Sequence, residues 1–221
     1  MDTSLDERLL SFNLLPSRWA HPQRLAEWIG SAWRRPCDGA GERRLHRHLS
    51  ASFLRATVPG VVQSSDEDPL LPVVLADEAT LDQLVLHCGL VVLGPAIRRV
   101  ILRDEVKDLL ASLGTDALSF ARQEAADLAA AEAATWPALP LAPSRAHAQA
   151  VDLGGVLLAQ ALRRATGPVA ARALLRLPQS ALEDDQSLPP TLCDPQIAAR
   201  LALATLHHLD PAWLALFPQR G

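Results

Sequence analysis

The sequence predicts an all-α protein, and three observations support this fold class. Apolar residues make up 49% of the chain, and most of them are Leu and Ala, which are strong helix formers. Aromatic strand formers are scarce, with no Tyr and four Phe. Helix-start signals recur along the chain, and no segment keeps the alternation of a strand. We therefore expect a compact helical protein of about ten helices.

In the N-terminal part, prolines and caps predict three helices, over 4–13, 22–33 and 42–56. The first has Asp6 and Glu7 early in it, which is favourable for the helix dipole. Segment 58–72 contains Pro-Gly and the acidic run Ser-Ser-Asp-Glu-Asp-Pro. We expect this segment to be an exposed loop.

The central segment 84–102, LVLHCGLVVLGPAIRRVIL, is the longest apolar passage. A bilayer span needs about 20 continuous apolar residues, and here His87, Gly94-Pro95 and Arg98-Arg99 interrupt the run. The segment is predicted to form two consecutive buried helices that meet at Gly94-Pro95, with Asp77 capping the first. This pattern indicates no direct membrane insertion.

The C-terminal part continues with predicted helices over 104–114, 115–135, 144–165 and 168–177. Its last two helices are expected to start at the Asp-Pro pairs of Asp194 and Asp210. The proline-rich segment 136–143, WPALPLAP, is a candidate boundary between two lobes. Residues 1–221 are otherwise predicted to form a single helical domain.

Charge and cysteine content limit the function classes. The net charge of −4 gives no general attraction to nucleic acid or to anionic membranes. The three cysteines, Cys37, Cys88 and Cys193, are far apart and odd in number, which is typical of reduced cytosolic thiols. The acidic N-terminus does not resemble a signal peptide. We expect a cytoplasmic protein.

No catalytic, cofactor or metal site is predicted from motifs. The chain has no nucleophile elbow and no glycine-rich phosphate loop. The histidines lack zinc-ligand spacing and are expected at the surface, as caps, or partly buried and hydrogen-bonded in the case of His87. The acidic groups of 66–68 and 183–185 are expected to be solvated. Gly154-Gly155 lies in a helical pattern and favours close helix packing.

Seven arginines are the candidate partner-binding residues: Arg34, Arg35, Arg43, Arg44, Arg47, Arg98 and Arg99. The first five could bind phosphates or an acidic protein face, or could form a solvated helix face. For the last two, we expect one guanidinium in solvent. The other is expected to pair with a carboxylate or cap carbonyl groups, because an unpaired buried charge is costly.

Two stretches resemble the SctK/YscK family, the cytosolic sorting-platform accessory proteins of bacterial type III secretion systems. SFNLLPSRWAHPQRL (11–25) is similar to the family's opening, with a Phe, a Pro, an aromatic residue, His-Pro and Leu. LDQLVLHCGLVVLGPAIRRVIL (81–102) is similar to its central L-GL-L-G-AIRR-L pattern. The C-terminal half is similar only in being helical, with a Trp-Pro element and a late Leu-rich helix.

The resemblance implies a non-enzymatic adaptor beneath the inner-membrane ring. Its implied partners are the cytoplasmic forkhead-associated-like domain of the ring protein and the pod protein of the sorting platform, with no nucleic acid and no cofactor. One alternative is a helical regulatory or nucleic-acid-binding module that uses the Arg34–Arg47 cluster. Another is a small helical enzyme with an unrecognised site.

Overall fold

The computed structural model describes residues 4–29, 39–56, 60–63, 68–129, 136, 139–183, 188 and 190–217. This described part contains twelve α-helices and no strand, so the chain is all-α. In chain order they are α1 (Leu5–Leu14), α2 (Pro22–Ile29), α3 (Gly39–Ala56), α4 (Leu71–Val74), α5 (Glu78–Arg99), α6 (Arg103–Gln123), α7 (Ala125–Leu128), α8 (Ala146–Leu162), α9 (Gly167–Ala173), α10 (Gln179–Glu183), α11 (Pro195–Leu209) and α12 (Pro211–Leu214). Short 3₁₀ turns occupy Pro16–Arg18, Pro143–Arg145, Leu174–Arg176 and Pro190–Cys193.

Side-chain caps begin four of the described helices. Ser4 and Glu7 form a capping box at the start of α1. Asp77 accepts a hydrogen bond from the Thr80 N–H at 2.8 Å and begins α5, as expected. Asp194 and Asp210 cap α11 and α12, each with a proline at the next position.

The crossing of α5 and α8 forms the centre of the core. A Cβ atom added to Gly89 would lie 1.7 Å from the Ala150 carbonyl oxygen. One added to Gly154 would lie 1.8 Å from the Val85 carbonyl oxygen. Only glycine allows backbones to approach this closely. The prediction that the Gly154 region permits close helix packing is confirmed.

Helix α5 continues through Gly94-Pro95, so the predicted corner between two helices at this point is wrong. The backbone stays helical to Arg99 with Pro95 inside the last turns. Buried contacts explain the continuity: Gly94 lies against Ala121 and Ala125, and Ile97 beyond the proline is fully buried. Packing on this side outweighs the helix-breaking tendency of one proline. The chain turns instead at 100–102, between α5 and α6.

Gly114 breaks the regular backbone of α6. Its φ of 77° and ψ of 173° lie outside the helical region, in a conformation that glycine adopts without strain. A helix end at this position was predicted. The start differs, because α6 begins at Arg103 and Asp104 lies inside the first turn. The acidic side chain therefore faces the positive end of the helix dipole without capping it.

Part of the predicted exposed loop 58–72 is buried. Val62 and residues 70–72 lie in the core, and α4 begins inside the predicted loop. Residues 70–76, Leu-Leu-Pro-Val-Val-Leu-Ala, carry no polar side chain. Removing this apolar surface from water stabilises the folded chain, and this outweighs the turn signal of the nearby prolines. Residues 64–67 lie outside the described part of the chain.

One hydrophobic core contains residues from both sides of the proline-rich segment 136–143. Helices α5 and α8, which pack together, lie on opposite sides of it in sequence. Trp136 belongs to the same core. The assignment of 1–221 to a single domain, with a lobe boundary at 136–143, stays a prediction.

By length and apolar composition, α5 could cross a membrane, and it is the one helix among the described residues that could. Here it serves as a core helix. Its apolar side chains pack against α6, α8 and α11, and the long buried ones include Leu84, Leu90 and Leu93. A core helix of a globular protein has the same composition as a membrane span when neighbours cover it on most sides.

Candidate partner-binding surfaces

The predicted arginine cluster lies mostly on α3. Arg43, Arg44 and Arg47 are all exposed on this helix. Together with the exposed His48 and Arg55 they form the α3 basic face. Arg34 and Arg35 lie outside the described residues.

Among the described residues, helix α3 contacts the 3₁₀ turn after α1 and helix α2. Ser17, in the 3₁₀ turn after α1, has its Oγ 2.9 Å from His46 Nδ1 and 2.8 Å from Ser50 Oγ. On the other side, Phe53 stacks on Trp28 of α2 with ring centroids 5.6 Å apart. The basic face is therefore presented on a peripheral helix rather than over the core.

Arg98 and Arg99 are both exposed, so the expectation that one of them is paired or caps carbonyl groups is wrong. Arg122 of α6 takes that position instead. Its Nη2 donates to the Val100 carbonyl oxygen at 3.3 Å, just beyond the end of α5. The two exposed cations in the last turn of α5 still interact favourably with the negative end of its dipole.

Two apolar side chains lie beside these arginines. Ile101 is 84% exposed and Leu102 is 62% exposed. We call the surface formed by Arg98, Arg99, Ile101, Leu102 and Arg103 the α5–α6 corner. An open hollow of about 430 Å³ lies beside it. Exposed aliphatic groups ringed by arginine are typical of protein interaction sites.

Three other arginines make contacts within the protein, and the sequence did not single them out. Each guanidinium lies over an aromatic ring: Arg8 over Trp213 at 4.6 Å, Arg172 over Phe12 at 5.9 Å and Arg176 over Trp19 at 4.9 Å. Each also donates to backbone carbonyl groups, those of Leu75, Pro168, Gly60 and Ala76. These contacts join distant segments, so these arginines are structural.

One acid of the predicted solvated group 66–68 is buried. Asp68 Oδ1 accepts from the Leu70 N–H at 2.9 Å, and Oδ2 accepts from the Thr166 N–H at 2.7 Å. The expectation of a solvated side chain is wrong here, because three hydrogen bonds replace water around the carboxylate. Asp66 and Glu67 lie outside the described residues.

Three histidines make defined contacts, one with a serine and two around the ring of Phe120. Ser17 is fully buried beside His46, so its hydroxyl cannot meet a substrate. His87, half-buried as predicted, has Nδ1 2.8 Å from the Gln83 carbonyl oxygen and its ring against Phe120. His208 contacts the other side of Phe120, and its Nε2 lies 2.7 Å from Glu124 Oε2.

Metal and thiol chemistry has little support in this arrangement. Among the described residues, no group of three His, Cys, Asp or Glu side chains could hold a metal ion. Burial raises the pKa of the Cys88 thiol to about 12. A thiol with this pKa stays protonated at neutral pH and is a poor nucleophile.

A groove between α5 and α8 was not predicted. Its volume is about 350 Å³, and its acidic side chains are Asp82 and Asp152. Its floor is apolar and includes Leu81, Val156 and Leu177, all buried. His21, Arg176 and the start of α10 complete the wall. We call this the α5–α8 groove.

The α5–α8 groove could not be read from the sequence because Asp82 and Asp152 are 70 positions apart. Each looks like an ordinary exposed helix acid on its own. The Gly89–Gly154 crossing brings the two helices together and places both acids at one opening. The burial of Arg172 and Arg176 could not be predicted from the sequence either, since an isolated arginine is usually solvated.

The comparison with known proteins agrees with the resemblance found in the sequence. A family model described as YOP proteins translocation protein K (YscK) matches residues 10–217. This range covers nearly the whole chain, including the C-terminal half. No curated protein and no solved structure gives a significant match.

Proposed function

Because the chain belongs to the YscK family of type III secretion proteins, we propose that it is a non-enzymatic adaptor of the sorting platform. In this proposal it binds the pod protein on one side and the forkhead-associated-like cytoplasmic domain of the inner-membrane ring protein on the other. It acts in the cytoplasm, at the inner face of the secretion apparatus, and is needed for secretion. The family match over 10–217 is the observation that carries the proposal.

The two exposed surfaces differ in the kind of contact that they can make. The α5–α6 corner offers apolar side chains with cations around them, since Ile101 and Leu102 are mostly exposed beside Arg98 and Arg99. The α3 basic face offers charge with little exposed apolar area. Apolar burial supports stable association, whereas exposed charge mainly accelerates encounter and is weakened by salt.

We assign the α5–α6 corner to the pod protein, which must stay bound as the platform assembles. Burying Ile101 and Leu102 against an apolar patch supplies the affinity, and acidic groups on the partner would face the three arginines of the corner. Nearby acidic residues are partly neutralised, since Asp104 pairs with Lys107 at 3.5 Å. The partner surface is therefore expected to be apolar with an acidic rim.

We assign the α3 basic face to the ring domain. Its exposed arginines lie on a peripheral helix, where a second protein can approach without displacing core elements. Binding through such charges has a steep salt dependence. The adaptor would then be held firmly on the pod side and more weakly on the ring side.

The test of the corner is co-purification with the pod protein, with light scattering to measure the mass of the complex. The double variant Ile101→Ser/Leu102→Ser should lose the complex while keeping the helical circular dichroism spectrum. The matched control is Leu10→Ser/Leu14→Ser, which removes two similarly exposed leucines of α1. If the unchanged chain forms no complex at low salt, the adaptor proposal is wrong. If the corner variant binds normally, the assignment of this surface is wrong.

The test of the α3 basic face is binding to the isolated ring domain at several salt concentrations. Arg43→Glu/Arg44→Glu should weaken binding about tenfold or more at low salt, since charge reversal turns attraction into repulsion. Arg145→Glu/Arg164→Glu makes the same change in charge at exposed positions elsewhere and should have little effect. Equal losses in both variants would show that net charge, and not this face, governs the interaction.

The same face is what would support the alternative, a nucleic-acid-binding module. That alternative predicts a mobility shift with DNA or RNA at about 50 mM salt, and a log affinity that falls linearly with log salt. The absence of a shift under these conditions would remove it.

A further inference from the structure

The α5–α8 groove collects most of the acidic charge of its two helices. Glu78 and Asp82 are the acidic residues of α5, and Asp152 is the acidic residue of α8. Asp82 and Asp152 line the groove, and Glu78 is close enough to Asp82 to raise its pKa. No ion pair joins Asp82 or Asp152 to a cation within the part of the chain that the structure describes. Arg176 and His21 lower the pKa of Asp82 and so offset part of this charge. The two carboxylates that line the groove still outnumber its one arginine, so its opening is acidic.

The surroundings of Asp82 make its charged form less favourable than that of an isolated carboxylate. Burial is the main cause that raises the pKa of its carboxyl group, and repulsion from Glu78 adds to it. A cation placed at the opening would lower the free energy of both carboxylates.

A buried guanidinium forms part of the same groove. Arg176 is 6% exposed and lines the groove wall. Its Nη2 donates to the Ala76 carbonyl oxygen, but its buried Nε has no hydrogen-bond partner among the described residues. A carbonyl oxygen that entered the groove would give this guanidinium an additional acceptor. A bare metal ion would offer this donor no acceptor.

The floor of the groove adds a third feature. Leu81, Val85 and Val156 provide an apolar surface, and Val151 at the edge is 37% exposed. The volume of about 350 Å³ is sufficient for a long side chain and part of its backbone. A peptide with a basic side chain can contact all three features: the apolar floor, the carboxylates at the opening and the guanidinium that can donate to a carbonyl oxygen. A bare cation or an anionic ligand cannot.

We propose that the α5–α8 groove binds a basic segment of a protein partner, with an arginine or lysine side chain between Asp82 and Asp152 and a backbone carbonyl toward Arg176. The groove is separate from the α5–α6 corner and the α3 basic face, and it has the opposite charge. The protein thus has one recognition site for basic segments in addition to its arginine-rich surfaces. This proposal goes beyond the adaptor function and can be tested without any secretion partner.

The experiment is nuclear magnetic resonance titration of the full chain with three probes. The first is capped arginine (Nα-acetyl-arginine methylamide), the second is its neutral citrulline counterpart, and the third is the peptide acetyl-Ala-Leu-Arg-Leu-Ala-amide. Capped arginine should shift the backbone amide signals of Asp82, Val85, Gly155 and Ser180 saturably, while citrulline should not. The peptide should bind at least about threefold tighter, because it adds apolar contact with the floor and further carbonyl groups.

Two variants with matched charge test the site. Asp82→Asn/Asp152→Asn should weaken peptide binding about tenfold, the effect of losing two ion pairs at largely exposed carboxylates. Asp108→Asn/Asp127→Asn removes two exposed acids elsewhere and should leave binding unchanged. The proposal is overturned if capped arginine gives no saturable shifts in the groove, or if citrulline shifts the same signals equally. Equal affinities for capped arginine and the peptide would overturn the assignment to a protein segment.

Discussion

Gly154 and Gly155 are adjacent in α8 but have different surroundings. Gly154 meets the backbone of α5, whereas a Cβ atom at Gly155 would lie 3.4 Å from the Ala181 Cβ atom. The first glycine is required by a backbone contact, and the second meets only a side chain. The sequence predicts close packing for the pair. It could not show which glycine is required, because the two residues are identical and only their neighbours in the fold differ.

The pair gives a matched test of the helix crossing. Gly154→Ala should lower the free energy of unfolding by about 2 kcal/mol or more, since α5 and α8 must move apart to admit the methyl group. Gly155→Ala should leave it unchanged or raise it by about 0.5 kcal/mol, because alanine is the better helix former. Urea denaturation of both variants is the measurement. Equal destabilisation of the two would mean that the crossing is not at Gly154.

Cys88 provides a second prediction for a single residue. Its thiol is buried, and its pKa of about 12 keeps it protonated. Iodoacetamide at mildly alkaline pH should therefore alkylate Cys88 only after denaturation, while the half-buried Cys193 should react faster in the folded protein. Mass spectrometry of the alkylated peptides distinguishes the two sites. Rapid labelling of Cys88 in native buffer would contradict its burial.

At the level of elements, the helix starts at three aspartates could be predicted, whereas the burial and course of apolar segments could not. Asp77, Asp194 and Asp210 all cap helices as their sequence pattern indicates, because capping is a contact within four residues. The course of α5 through Pro95 and the burial of 70–76 depend on neighbours that are distant in sequence. Local propensity contains no information about those neighbours.

The burial predicted for the central apolar segment can be tested directly. Leu84 of α5 is fully buried, so Leu84→Ala should lower the free energy of unfolding by about 2–4 kcal/mol. Leu110→Ala is the control on α6, since this leucine is 46% exposed and should change the free energy by less than about 1 kcal/mol. Chemical denaturation measures both. Similar values for the two would show that α5 packs through a different face.

Segments 68–76 and 166–176 are joined by polar contacts that replace water. Asp68→Ala would leave the Leu70 and Thr166 N–H groups without their acceptor, and we expect it to lower the free energy of unfolding by about 1–3 kcal/mol. Asp194→Ala, which removes a helix cap elsewhere, should cost only about 1 kcal/mol. Hydrogen exchange should show faster exchange at Thr166 in the Asp68 variant alone. Unchanged exchange at Thr166 would show that Asp68 does not connect these two segments.

Over the whole molecule, three histidines link stability to pH. Burial is the main cause that lowers the pKa of His21, His46 and His87 below 6.5 in the folded protein. The unfolded chain therefore binds more protons in the range just below pH 6.5, so stability is complete above this value and falls as the pH decreases through it. The urea midpoint should be lower at about pH 5.5 than at about pH 7.5. The triple variant with Gln at all three positions should show a smaller difference.

A candidate surface could be predicted from the sequence only where a single helix forms it. The arginines of α3 and of the end of α5 are exposed, and clusters of like charge within one helix are visible in the printed sequence. The exposure of Ile101 and Leu102 was not foreseen, because they end an apolar run that otherwise enters the core. The α5–α8 groove needs two helices and a glycine crossing, so only the tertiary structure displays it.

The contact between Arg8 and Trp213 has a consequence for how the protein is made. Arg8 also binds Leu75 and Asp77, and Trp213 donates to the Pro72 carbonyl oxygen at 2.9 Å. The first helix and the last one therefore close on the same central segment. During synthesis, α1 must wait until α12 has left the ribosome before Trp213 can pack against it. A stalled or shortened product would expose the ring of Phe12 and the apolar side of 70–76 to chaperones and proteases.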